Sequence, residues 1–113
     1  MQANTVVPFC VAAVLVASLA APQEPPTPEL YRAKCQQCHM ADGNSPLEPM
    51  NFTDGKWAHG SKPAEIAKVI TEGVPGTAML PFKAQLSPEQ VTALAAYVRA
   101  LDTTLKAEKP KKQ

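Results

Sequence analysis

Cys35-Gln36-Gln37-Cys38-His39 constrains this chain more than any other stretch of it. Two cysteines three apart sit almost one helical turn apart, so they share a face. Thiols placed in this way can both add to the two vinyl groups on one edge of a porphyrin. The neutral imidazole of His39, next in line, can then turn inward to bind the iron. C-x-x-C-H is the attachment signature of c-type haem. A bare C-x-x-C is shared with zinc ribbons and thioredoxin-like sites, but this sequence has no second cysteine pair to complete a zinc site. Cys10, the third cysteine, lies in an apolar N-terminal run, which leaves Cys35 and Cys38 for thioethers and none for a disulfide. A colourless purified protein would indicate the rival, a zinc or disulfide protein without haem.

The 113 residues suffice for one small domain. With 5% aromatic residues and 12 prolines the apolar core is thin, and a domain of this size is marginal on protein packing alone. A buried porphyrin would supply much of the missing apolar surface. The formal net charge of +1 calls for no nucleic acid.

Residues 1–20 carry no charged side chain, and Val6 to Ala21 is almost wholly apolar. Ser18-Leu19-Ala20 places small residues where a signal peptidase reads, so residues 1–20 are expected to be a signal peptide cleaved after Ala20. The alternative is an uncleaved membrane anchor, which would be short for a full span and contains Pro8. Residues 21–27 form a proline-rich, semi-rigid connector. Thr27 and Pro28 then open a helix as N-cap and first helical residue. In it Tyr31, Cys35 and Cys38 fall at i, i+4 and i+7 on one face, which sets Tyr31 near the haem edge or against the helix packed there.

Asp42-Gly43-Asn44-Ser45-Pro46 is a turn cluster that begins an irregular stretch. A ligating histidine usually donates its second N–H to a carbonyl. A loop returning under the haem must supply that carbonyl; Pro49 is the candidate and Pro46 the alternative. Phe52 and Trp57 are expected near the porphyrin. The indole N–H of Trp57 would bond either a haem propionate or solvent.

Ser61-Lys62-Pro63 starts a second helix with Ile66, Val69 and Ile70 as its apolar stripe, and Gly73 stops it. The following Val74-Pro75-Gly76-Thr77-Ala78-Met79-Leu80-Pro81-Phe82 is an ordered, non-helical loop. A thioether is a soft ligand that suits haem iron opposite an imidazole, and this loop can hold Met79 at the metal. Met40, Met50 and His59 are the competing ligands. Met40 adjoins His39 and would struggle to reach the opposite face, and Met50 belongs to the loop on the His39 side. Ser87-Pro88-Glu89-Gln90 is a capped helix start. Val91, Leu94, Ala95, Val98 and Leu101 follow at helical spacing, with Tyr97 beside them, and their face should pack across the first helix near Tyr31. Residues 103–113 are expected to form a basic, solvated tail.

Taken together, Leu30-Tyr31, Cys35-Gln36-Gln37-Cys38-His39, Gly73-Val74-Pro75-Gly76-Thr77-Ala78-Met79 and Leu94-Ala95-Ala96-Tyr97-Val98 resemble the single-haem class I cytochromes c of bacteria. The resemblance covers most of residues 28–102. It implies an all-α fold of three or more helices wrapped around one covalently attached haem c, with His39 and Met79 as axial ligands and one haem edge exposed. Tyr31, Pro49, Phe52, Trp57 and Tyr97 would make the haem's surroundings. Two positions depart from the pattern: Met40 stands where many relatives have glycine, and Leu80 separates Met79 from Pro81.

The function expected is one-electron transfer in the periplasm by a carrier that is not itself an enzyme, with redox proteins as partners and a membrane reached only through a partner complex or an uncleaved N-terminus. One rival is a haem subunit of a periplasmic dehydrogenase or oxidase. Another is a haem catalyst or sensor in which Met79 has left the iron.

Overall fold

The computed structural model describes residues 2–4 and 24–106; apart from residues 2–4 the expected signal peptide, and likewise the tail beyond Lys106, lie outside the described residues. The described residues contain helices and loops and no strand. Helix α1 is Thr27–Lys34, α2 is Gln36–His39, α3 is Pro63–Glu72 and α4 is Pro88–Leu101, with a short 3₁₀ turn at Glu48–Met50. None of these helices is long and apolar enough to cross a membrane.

Helix α4 is the centre of the packing. Ser87 Oγ accepts from the backbone N–H of Gln90 at 3.1 Å, while Gln90 Oε1 accepts from the backbone N–H of Ser87 at 2.8 Å. This reciprocal cap satisfies two of the N–H groups that any helix start leaves unpaired, and Pro88 gives up none that is needed. Val91, Leu94, Ala95 and Val98 form the buried stripe. Burying a side chain such as Leu94 completely is worth about 1.5–3 kcal/mol. Both α1 and α3 pack on α4.

Helix α3 begins where Glu65 Oε2 accepts from the backbone N–H of Lys62 at 3.0 Å, and it presents Ile66 and Ile70 to the core. Gly73 ends it with φ 68°. No other residue fits there: a Cβ at Gly73 would lie 2.6 Å from the carbonyl oxygen of Met79 and 2.7 Å from the nitrogen of Pro81. The loop carrying Met79 is thus folded directly over the end of α3.

The first helical segment departs from the sequence reading. Thr27 is already helical, the N-cap is Pro26 without a side-chain cap, and the helix is interrupted at Cys35, whose φ is −121°. Cys35 N–H still bonds Tyr31 O at 2.8 Å and His39 N–H bonds Cys35 O at 3.0 Å, so the two segments form one path with a bend at the first cysteine. Packing also continues past residue 102. Leu105 N–H bonds Asp102 O at 3.3 Å, and Arg99 Nη2 donates to Lys106 O at 3.0 Å.

Candidate haem-binding site

Both thiols of the motif are free, Cys35 half-buried and Cys38 exposed. Burial pushes the Cys35 thiol up to about 11, so it remains protonated at neutral pH. His39 sits one residue on. Its Nδ1 lies 2.8 Å from the carbonyl oxygen of Met50. A carbonyl can only accept, so Nδ1 carries the hydrogen and Nε2 keeps its lone pair for a metal. Burial lowers the His39 pKa, and the bond to Met50 offsets this only in part. The balance favours the neutral ring, the form in which an imidazole can bind a metal.

The carbonyl that receives His39 is therefore that of Met50, and neither Pro49 nor Pro46 plays the part expected of it. The reason lies in the 3₁₀ turn. Leu47 O is taken by the N–H of Met50 and Glu48 O by the N–H of Asn51. Met50 stands at the exit, where a carbonyl finds no partner within the turn. Pro49 itself is exposed.

Beyond His39 the backbone takes an unusual path. Met40 has φ 65° and ψ 163°, a region that favours glycine. Two bonds hold it there: Tyr31 Oη donates to Met40 O at 2.7 Å, and Gly43 N–H reaches the same oxygen at 3.2 Å. Tyr31 is 1% exposed, and its ring centroid is 5.1 Å from that of Tyr97. Burial first, then the neighbouring Cys35, Tyr97 and Asp42, raise its pKa, so the hydroxyl stays a donor. Tyr31 thus joins α1 to α4, as expected, and also anchors the turn that leaves the motif.

Phe52 and Trp57 are brought to this side of the molecule. The Phe52 ring stacks on the His39 imidazole with centroids 4.1 Å apart and planes 20° from parallel. Trp57 stacks on Phe52 at 5.5 Å and 13°. The Trp57 Nε1–H goes neither to solvent nor to a propionate: it donates to Asp102 Oδ2 at 2.8 Å. Asp102 is buried, and its carboxylate also accepts from Gly55 N–H at 3.1 Å and from the Thr104 N–H and hydroxyl at 3.0 and 2.6 Å. Sequence reasoning missed this residue. The signal that could have found it is Asp102-x-Thr104 just past a helix end, an Asx-turn pattern.

Met79 is half-buried against the core, while Leu80 beside it is 66% exposed. The loop is braced internally: Val74 N–H bonds Met79 O at 2.9 Å, and Met79 N–H bonds Thr77 Oγ1 at 3.2 Å. Phe82 N–H to Ile70 O at 3.0 Å ties its exit to α3. Of the competing ligands, Met40 and His59 are exposed, and Met50 lends its carbonyl to His39.

These residues fit a covalently bound haem. Two free thiols precede an imidazole whose only uncommitted nitrogen is Nε2. Cys35, Phe52, Trp57, Met79, Phe82 and Leu101 all pack against the core yet remain only partly buried. Each leaves apolar surface that a flat apolar cofactor could cover.

Residues 24–98 match the family of cytochrome c oxidase, cbb3-type, subunit III. The chain is 39% identical over 75 residues to the cbb3-type cytochrome c oxidase subunit FixP of Azorhizobium caulinodans, a match that covers 65% of this chain and 25% of that protein. It is 37% identical over 89 residues to the dihydro-heme d1 dehydrogenase of Pseudomonas aeruginosa, covering 75% of this chain and 17% of the relative. The curated relatives are thus much longer, and the chain spans about a quarter or less of these two. Among solved structures it resembles the KustC0563 c-type cytochrome, with a TM-score of 0.57 and 35% identity over 68% of this chain and 98% of the other.

Proposed function

The chain belongs to the family of cbb3-type cytochrome c oxidase subunit III, a c-type cytochrome family of electron transfer, and we propose that it is an exported one-electron carrier of the periplasm with one haem c. In this reading residues 28–102 form the cytochrome domain, behind a signal peptide at 1–20 and a connector at 21–27. Cys35 and Cys38 hold the haem through thioethers, and His39 and Met79 are its axial ligands. The observation that carries the reading is the bond from His39 Nδ1 to Met50 O, which commits one ring nitrogen and aims the chemistry at the other, directly after the two free thiols.

Bound haem supplies a one-electron ferrous/ferric couple. The protein's part would be to hold the group through His39 and Met79 and to limit what moves. The Met50 carbonyl makes the His39 imidazole a better donor by drawing on its N–H. The bracing of the Met79 loop by Val74, Thr77 and Gly73 holds the thioether without a helix. A thioether favours ferrous iron and so raises the potential. If His39 and Met79 both hold the iron, no site would be left for oxygen or a substrate, and the role would be transfer and not catalysis.

The test is Met79→Ala. The weak far-red band of the ferric, Met-ligated form should vanish, and the ferrous form should bind carbon monoxide rapidly. Met50→Leu should keep the band. A band that survives Met79→Ala and disappears in Met50→Leu would overturn the assignment.

A second reading is favoured by the relatives themselves, which are named as an oxidase subunit and a dehydrogenase. On it the chain passes electrons within such a complex. Co-purification of a stable partner from native membranes would select this reading, and a monomer that exchanges electrons in free solution would select the first.

A further inference from the structure

We propose that Phe52 is a positioning residue that sets the plane of the His39 imidazole, with Trp57 and Asp102 as its backing. The inference rests on the reading of His39 as an iron ligand.

The bond from Nδ1 to Met50 O fixes where one corner of the ring points. A hydrogen bond of this kind tolerates a tilt of roughly 30° before it weakens appreciably. It does not by itself fix the plane. A flat ring lying on the imidazole at 4.1 Å and 20° does, because any tilt then drives ring atoms into ring atoms. Phe52 is held in turn. Its N–H bonds Gly43 O at 2.8 Å, in the turn that follows the motif. The Trp57 indole stacks on it at 13°, and Trp57 Nε1 is moored to Asp102 at the C-terminal end of α4. The plane of His39 is thereby referred to the most deeply packed helix of the domain, through contacts 45 residues apart in sequence.

An axial imidazole's plane orients the magnetic axes of low-spin ferric iron. It is read directly in the pattern of porphyrin methyl shifts in the NMR spectrum and in the EPR g values. Neither responds to a simple loss of stability.

The experiment compares ferric holoprotein carrying Phe52→Leu, Phe52→Tyr and Trp57→Phe with wild type by both methods, beside a thermal melt. Phe52→Leu should alter the order or spread of the methyl shifts and move the g values. Phe52→Tyr, which keeps a ring on the imidazole, should restore the wild-type pattern. Trp57→Phe, which keeps a ring but drops the bond to Asp102, should shift the pattern in the same sense by less. If Phe52→Leu melts lower yet shows the wild-type pattern, Phe52 is packing only and the proposal is wrong. If Phe52→Leu fails to fold, Trp57→Phe decides alone: a shifted pattern supports the proposal and an unchanged one overturns it. His39→Ala separates the two readings. A His39 variant that keeps the wild-type low-spin spectrum refutes the ligand assignment itself, whatever Phe52 does.

Discussion

Asp102→Ala should destabilise the protein by about 2–4 kcal/mol, and the structure shows where that figure comes from. The carboxylate accepts four hydrogen bonds: from Trp57 Nε1, Gly55 N–H, Thr104 N–H and the Thr104 hydroxyl. Thr104 and Gly55 are exposed and turn to water when the acceptor goes. Trp57 is half-buried between Phe52 and the core, and its Nε1–H is left without a partner, a penalty of about 1–3 kcal/mol. A further 1 kcal/mol or so is lost with the charged acceptor itself. The assay is urea unfolding of wild type, Asp102→Ala, Trp57→Phe and the double variant. In the double variant the orphaned donor is gone, so the two changes should couple by about 1–2 kcal/mol. The pH dependence gives an independent check. Burial raises the Asp102 pKa, but the bonds from Thr104, Trp57 and Gly55 outweigh it, and the net shift is downward. A carboxylate with a depressed folded value stabilises the protein fully above its unfolded value of about 4 and loses that contribution as the pH falls through the folded value. Asp102→Ala should therefore flatten the acid limb of the stability curve below about pH 4 while lowering the plateau at pH 7. A cost under 1 kcal/mol, or no coupling to Trp57→Phe, would refute the reasoning.

Two further predictions concern the motif and its exit. Cys35→Ala or Cys38→Ala should weaken haem retention, and haem should resist acid–acetone extraction from the wild type, which a haem stain of a denaturing gel checks. Met40→Gly should raise stability slightly: a non-glycine residue at φ 65° and ψ 163° costs about 1–3 kcal/mol, against about 0.5–1 kcal/mol for the added freedom of glycine in the unfolded chain. Urea unfolding decides it, and a variant less stable than wild type by 1 kcal/mol or more would show that the Met40 side chain, 37% exposed, contributes more than its backbone loses.

What the sequence made legible was local. The Ser87–Gln90 cap, the Pro63 start and the Gly73 stop each depend on residues a few positions apart, and each stands in the structure as its spacing implied. The meeting of α1 and α4 at Tyr31 and Tyr97 was legible because periodic stripes name the faces that must be buried. What escaped was whatever depends on how the irregular stretch from Met40 to Gly60 closes. A carbonyl shifts from Pro49 to Met50 when a turn takes one 3₁₀ step, and no propensity registers that. The bend at Cys35 has no glycine or proline to announce it. Trp57 and Asp102 lie 45 positions apart, and only the completed packing of the loop on α4 brings them together. Met40 joins the two kinds of information. Its place after His39 marked it in the sequence as a departure from glycine, and its positive φ gives the departure a physical meaning. The chain must turn sharply at once after His39 so that Gly43, Met50 and Phe52 can return beneath it. Tyr31 holds that turn from α1 through the Met40 carbonyl, while Asp102 holds Trp57, and through it Phe52, from α4. The loop that orients His39 is therefore held from both α1 and α4, so changes in the contact between those two helices should reach the candidate ligand.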